Sequence, residues 1–282
     1  MATQTYPTLD ETVPSGSNLR WLIADTMTIA KRNIVHIRRV PEKLINVTIQ
    51  PVLFVLLFAF VFGNAIPIPG GGSYREYLMA GIFTQTIAAT YMSTAVGVTD
   101  DMSKGIVDRF RSLPMTPSAV LGGRSVADLI ESVIALIVLV VMGLLIGWRV
   151  HNGAGDTLAA LGLLLLFGYA MIWVGATLGL YARTTETATV IGFIIFFPIS
   201  FVSNAFVPTS TMPSWLQPIA EWNPLSATTA ACRELFGNPN PMPANSSWPM
   251  DHPIEASLLS SIVMLAIFMP LALRRYKTIA SR

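Results

Sequence analysis

Apolar residues run along this chain in long uninterrupted stretches, and the charges gather in the segments between them. Six stretches, at residues 44–63, 77–98, 132–148 (entered through 125–131), 157–182, 188–207 and 256–273, hold no charged residue. Each is near the roughly 20 residues that a helix needs to cross about 30 Å of hydrocarbon. Backbone in lipid must satisfy its own hydrogen bonds. The pattern therefore predicts an all-α integral membrane protein with six transmembrane helices.

Helical spacing continues outside these runs. Within residues 19–43, Leu19, Leu22, Ile23, Met27, Ala30, Ile34 and Ile37 form one stripe, while Arg20, Lys31, Arg32, Arg38 and Arg39 face elsewhere. A basic amphipathic helix of this kind suits the membrane interface. It suits the surface of a soluble partner equally, and the two uses are compatible. Pro41 is expected to end it. Residues 101–115, DMSKGIVDRFRSLPM, repeat the pattern between the second and third runs. Met102, Ile106, Phe110 and Leu113 share a face, and Lys104, Asp108 and Arg111 are spaced to pair on another. Pro114 and Pro117 are expected to stop this helix. It is too short to be stable alone in water, so its apolar face is expected to dock on something. A solvated loop is the plain alternative.

The segment 208–254 is mixed. Residues 212–236 keep Trp215, Leu216, Ile219, Trp222 and Leu225, too apolar for a free loop and too interrupted for a span. They read as short re-entrant helices, the last over 226–236 and ended by Gly237. The proline-rich residues 238–253 read as an exposed cap. The polar residues 1–18 are expected to be disordered.

Composition sharpens the class. Hydrophobic residues make up 52% and charged residues 12%, about half the usual soluble share. The formal charge of +2 is too small to suggest nucleic acid. The single cysteine, Cys232, allows neither an internal disulfide nor a cysteine metal cluster. No apolar region follows the first residues, so no cleaved signal peptide is expected. With the N-terminus inside, the inner segments carry fifteen Lys and Arg, and the outer ones carry three, Arg75, Arg149 and Arg233. That asymmetry places both termini (the tail 274–282 included) and residues 101–115 in the cytoplasm.

Candidate chemistry is sparse. There is no GxxxxGK[ST] phosphate loop, no HExxH and no Cys/His cluster, so no catalytic, metal or cofactor site is expected on this chain. Asp128 and Glu131 could relay protons. The simpler reading pairs them with Arg124 near a membrane face. Neutral polar residues crowd three spans: Asn46 and Gln50 in the first, Gln85, Thr90 and Tyr91 in the second, and Ser200, Ser203 and Asn204 in the fifth. They suit a substrate path, or hydrogen bonds between helices, which is the commoner role. Gly175 and Gly179 form a GxxxG suited to close helix contact.

Four stretches, in order, make the sequence similar to the permeases of type-2 ABC exporters, nearest the daunorubicin-resistance branch. They are RVPEKL with IQPVLFVLLF and VFG (from Arg39 to Gly63), YLMAGI (from Tyr77), GIVDRFRSLPM with AVLGGR (from Gly105 to Arg124), and VP, MPSWLQ and NPL (from Val207 to Leu225). Family members often have Leu-Pro-Gly where this chain has Leu78-Met-Ala-Gly81.

The resemblance implies a six-span permease domain over 44–273, paired with a second copy or a paralogue. It also implies a separate ATPase subunit in two copies, which would carry the ATP and Mg. Residues 19–43 would be an interface helix using Lys31, Arg32, Arg38 and Arg39. Asp101, Lys104, Ile106, Asp108, Arg109, Phe110, Arg111 and Leu113 would form a coupling helix seated on the ATPase. The path would run between subunits along the first, second and fifth spans. Drugs, polyketides or lipids would be exported across a bacterial plasma membrane. An ion-coupled secondary transporter would be expected to show internal repeats and midplane charges. A lipid-modifying enzyme would need clustered carboxylates or histidines. Neither signature is present.

Overall fold

The computed structural model describes residues 41–61, 68–69, 71–104, 117–241 and 246–280. Six long helices coincide with the six apolar runs: α1 (Pro41–Val61), α2 (Tyr74–Ser103), α3 (Pro117–Leu145), α4 (Ala154–Tyr181), α5 (Thr185–Phe201) and α9 (Pro253–Ala280). Between α5 and α9 lie a 3-10 turn (Thr209–Thr211) and three short helices, α6 (Gln217–Glu221), α7 (Pro224–Phe236) and α8 (Trp248–Asp251). No strand occurs among the described residues. Leu121–Leu145, Ala154–Tyr181 and Pro253–Ile279 are each long and apolar enough to cross a membrane. Pro51–Val61 and Thr185–Phe201 are shorter apolar helices.

The bundle is built on α2, which packs most extensively against α4. Glycines make that contact close. A Cβ on Gly175 would lie 2.1 Å from the Tyr91 carbonyl oxygen, and one on Gly179 would lie 2.5 Å from that of Ala95. The expected GxxxG is therefore a packing stripe, fitted against main chain of α2. For orientation, the end holding Ser103 and Pro117 is here the base, and the end holding α7 is the top. A core toward the base joins Val98, Leu121, Trp173, Leu180 and Tyr276. Toward the top, Trp148 meets Phe83 and Phe236 edge-on, with ring centroids 5.2 and 5.1 Å apart.

The short helices form much as expected. Asn223 caps α7 by accepting from the Leu225 amide (3.0 Å), and Pro224 fills the first turn, where an amide has no partner anyway. Gly237, with φ +69°, ends α7. Asn238 N–H then reaches the Arg233 carbonyl (2.9 Å) and Gly237 N–H that of Glu234 (3.1 Å), a left-handed stop that favours glycine.

Two boundaries differ from expectation. The fifth run was expected to be helical through residue 207, yet α5 stops at Phe201. Seventeen residues at 1.5 Å each give about 25 Å, and residues 202–208 turn back as non-helical chain. The proline-rich segment is also less exposed than a free cap. Asn238 and Met250 are buried, and Asn238 Oδ1 accepts from Trp148 Nε1 (2.7 Å) while its Nδ2 donates to the Arg149 carbonyl (2.8 Å). Residues 1–40, with most of the expected interface helix, lie outside the described residues.

Candidate functional site: the base joint and the α2–α5 seam

Residues 105–116 lie outside the described residues, and with them Ile106, Asp108, Arg109, Phe110, Arg111 and Leu113. The structure does describe what holds the two ends of that segment. α2 runs on through Asp101 to Ser103, so the first turn expected of a separate helix is the last turn of α2. Lys104 Nζ bonds Asp100 Oδ2 at 2.6 Å, one turn back. That hydrogen bond holds the ammonium above its ordinary pKa range.

Arg124 braces α3 to α2. Its Nη1 donates to Asp101 Oδ2 (2.7 Å), and its Nε lies 3.6 Å from Asp128 Oδ2, one turn along its own helix. Thr94 Oγ1 of α2 donates to that same Asp128 oxygen (2.7 Å). The guanidinium fits because α2 has no side chain opposite it. A Cβ on Gly97 would sit 1.7 Å from Arg124 Nη2. Asp128 is thus engaged by a cation and a hydroxyl, as the ion-pair reading expects. The end of α9 joins this base: Arg275 lies over the Tyr181 ring at 4.7 Å.

The polar residues of the second and fifth runs meet along the seam between α2 and α5. Gln85 Nε2 donates to Ser200 Oγ, and Tyr91 O–H to the Gly192 carbonyl. Near the top, Tyr77 O–H reaches the Asn204 carbonyl (2.7 Å). Thr90 returns its proton to its own helix at the Ile87 carbonyl (2.7 Å), and Ser203 does the same at Ser200 (2.6 Å). Gln85, Ser200, Tyr91 and Tyr77 are thus spent on holding the two segments together. Asn46 and Gln50 lie in α1, and their side chains are outside the described residues. The far side of α5 is left bare: Phe193, Ile194, Phe197 and Phe201 are exposed, as are Leu53, Leu57 and Phe60 of α1.

Known proteins place this architecture. Residues 24–236 match the ABC-2 type transporter family. The chain belongs to that family. Over 96% of both chains it is 30% identical to the daunorubicin resistance ABC transporter permease protein DrrB1 of Streptomyces coeruleorubidus. A probable doxorubicin resistance ABC transporter permease protein, DrrC of Mycobacterium tuberculosis, is 25% identical over 78% of this chain and 80% of its own. The putative transport permease ycf38 of Porphyra purpurea is 26% identical over 77% and 75%. The permease thus aligns with such relatives across the bundle, from α1 through α7.

Two side chains at the top carry more than their sequence positions suggested. Arg233, counted with the loop cations, is 1% exposed. Its neighbour Cys232 is fully buried, with Sγ 4.0 Å from the Ala160 carbonyl of α4. Topology alone would make Cys232 a thiol for reagents added outside, but the packing of α7 on α4 closes it off. A membrane-impermeant maleimide is therefore expected to leave intact cells unlabelled and to react after denaturation. Ready labelling of native protein would contradict the placement of α7.

Proposed function

We propose that this chain is the membrane subunit of an ABC exporter that moves an amphiphilic compound outward across a bacterial plasma membrane. A drug, polyketide or lipid is the class of cargo in view. The observation that carries the reading is the match to a daunorubicin resistance permease over almost the whole chain. On this reading all six long helices cross the membrane, the base is cytoplasmic and both termini are inside, in keeping with the lysine and arginine asymmetry. Hydrolysis takes place on two copies of a separate ATPase, which hold the ATP and Mg. A second permease pairs along the bare faces of α1 and α5, where contiguous exposed apolar surface favours a protein partner over random scatter.

The coupling follows from the joints. Closure of the ATPases presses on residues 105–116, whose Phe110 face seats on them. Because Arg124 ties Asp101 to Asp128, the push arrives at α2 and α3 together. α2 passes it along the seam to α5 through Gln85 and Tyr91, and on to the turn at 202–208 that closes the outer end. The path lies between subunits on the α2–α5 side, so tilting of that pair opens it.

Reconstitution tests this. Inverted vesicles holding the permease and an ABC ATPase are expected to accumulate daunorubicin or a comparable amphiphile only when ATP is supplied. Accumulation that follows a proton gradient and ignores ATP would overturn the reading.

A further inference from the structure

Arg233 is a fully buried cation, and no carboxylate pairs with it among the described residues. Its charge is met by main-chain oxygens instead. Nε donates to the Tyr77 carbonyl (2.9 Å), and Nη2 to the carbonyls of Asn204 (2.8 Å) and Ala205 (3.2 Å). The Tyr77 ring lies flat beneath it, 3.5 Å from the guanidinium carbon to the ring centroid. A buried ion is costly unless its protons are taken up, so a side chain placed here does more than fill space.

Its partners identify the task. Asn204 and Ala205 belong to the non-helical turn after α5, which has no helical partners for these carbonyls. Further ties on that turn come from α2 and α7 as well. Tyr77 O–H bonds the Asn204 carbonyl (2.7 Å), Tyr74 O–H that of Phe206 (3.2 Å), and Ser226 Oγ accepts the Asn204 amide (3.0 Å). The Ala205 carbonyl is pressed so close to α2 that a Cβ on Gly81 would lie 2.0 Å from it. Asn204 Oδ1, buried beside them, is without a partner among the described residues. One planar fork therefore spans three elements: the side chain rises from α7, stacks on α2, and holds the end of α5.

We propose that Arg233 is a positioning residue, a latch that keeps the 202–206 turn closed over the outer end of the α2–α5 seam. Outward release requires the Asn204 and Ala205 carbonyls to slide off the guanidinium. The cation stays buried throughout on Tyr77, so it resets the turn afterwards. This rests on the exporter reading for the word outward; the closed turn itself does not.

The test uses Ser203→Cys, a near-isosteric change at a buried position of the turn, in a Cys232→Ala background that removes the only native thiol. An impermeant methanethiosulfonate reagent is added to the permease from the outer side, without ATP. With Arg233 intact, residue 203 is expected to react slowly. Arg233→Lys keeps the charge but loses the fork and the flat stacking. It is expected to react about tenfold faster or more, as for the loss of a charge-assisted hydrogen bond that held the closed state. Tyr77→Phe removes one tie to the same turn and leaves the charge in place. It is expected to give a smaller rise in the same direction, and it carries the test if Arg233→Lys fails to accumulate. Labelling at the parental rate in whichever variant inserts would overturn the latch. Adding the ATPase and ATP to the Arg233-intact protein tests the exporter reading separately. Faster labelling supports outward opening, and no change counts against that reading while leaving the ATP-free comparison to decide the latch.

Discussion

Gly175→Ala is expected to destabilise this permease, whereas the same change at Gly162 in the same helix is expected to be harmless. Removing a mid-helix glycine by itself favours the helix by roughly 0.5–1 kcal/mol. At Gly162 nothing lies within 4 Å of the added Cβ, so that gain stands alone. At Gly175 the Cβ would lie 2.1 Å from the Tyr91 carbonyl oxygen. Neither backbone can give way without separating α4 from α2, the largest contact in the bundle. Overpacking a tight site costs about 1–3 kcal/mol, and main-chain contact places this one at the upper end. The net expected loss is about 2 kcal/mol. Thermal unfolding in detergent, followed by size-exclusion chromatography, checks it. Equal midpoints for the two variants would show that α4 does not sit on α2 at this register.

The second large effect lies at the base. Phe110 is the central large residue of the apolar face predicted for residues 101–115, and Arg109 and Arg111 flank it with charge. Truncating an aromatic anchor in an interface commonly costs 2 kcal/mol or more, about a thirtyfold loss of affinity. Phe110→Ala with Arg111→Glu is therefore expected to leave the permease inserted and folded. It should weaken its hold on the ATPase, or let ATP turn over without transport. The braced ends of the segment sharpen this expectation, because Asp101, Arg124 and Asp128 hold its flanks wherever its middle docks. Co-elution with the ATPase and the ratio of ATP consumed to cargo moved are the readouts. Wild-type behaviour in both would make residues 105–116 a plain connecting loop, since surface changes usually stay within about 0.5 kcal/mol.

Much of this architecture was legible in the sequence because each feature is local. Uncharged runs near 20 residues long announce the six long helices, and Gly237 announces the end of α7, whose start, expected at Ser226, falls two residues earlier at Pro224. Arg124 and Asp128 stand one turn apart, so their pairing was visible too. What stayed hidden depends on chain brought from far away. The stop of α5 at Phe201 is silent to hydropathy, because the turn that follows is itself apolar through Ala205, Phe206 and Val207. Pro198, three residues before the end of α5, was the only local sign, and α5 passes through it. Arg233 looks like a loop cation until Tyr77 of α2 and Asn204 and Ala205 of the turn after α5 arrive to take up its protons. Likewise the pairing of Arg124 with Asp101 needs the gap at Gly97, which no spacing rule marks. The neutral polar residues were ambiguous for a physical reason: a hydroxyl that joins two helices and one that faces a cargo have the same sequence signature. The geometry spends Gln85, Tyr91 and Ser200 on the seam.

The measurement that bears most directly on the whole account is ATP hydrolysis by the purified permease, alone and after assembly with a co-expressed ABC ATPase. The chain carries no phosphate loop, so the account predicts no turnover from the permease by itself, and turnover together with ATP-dependent transport from the assembled complex. Hydrolysis by the rigorously purified single chain, or transport that persists when the partner's ATPase is inactivated, would contradict it.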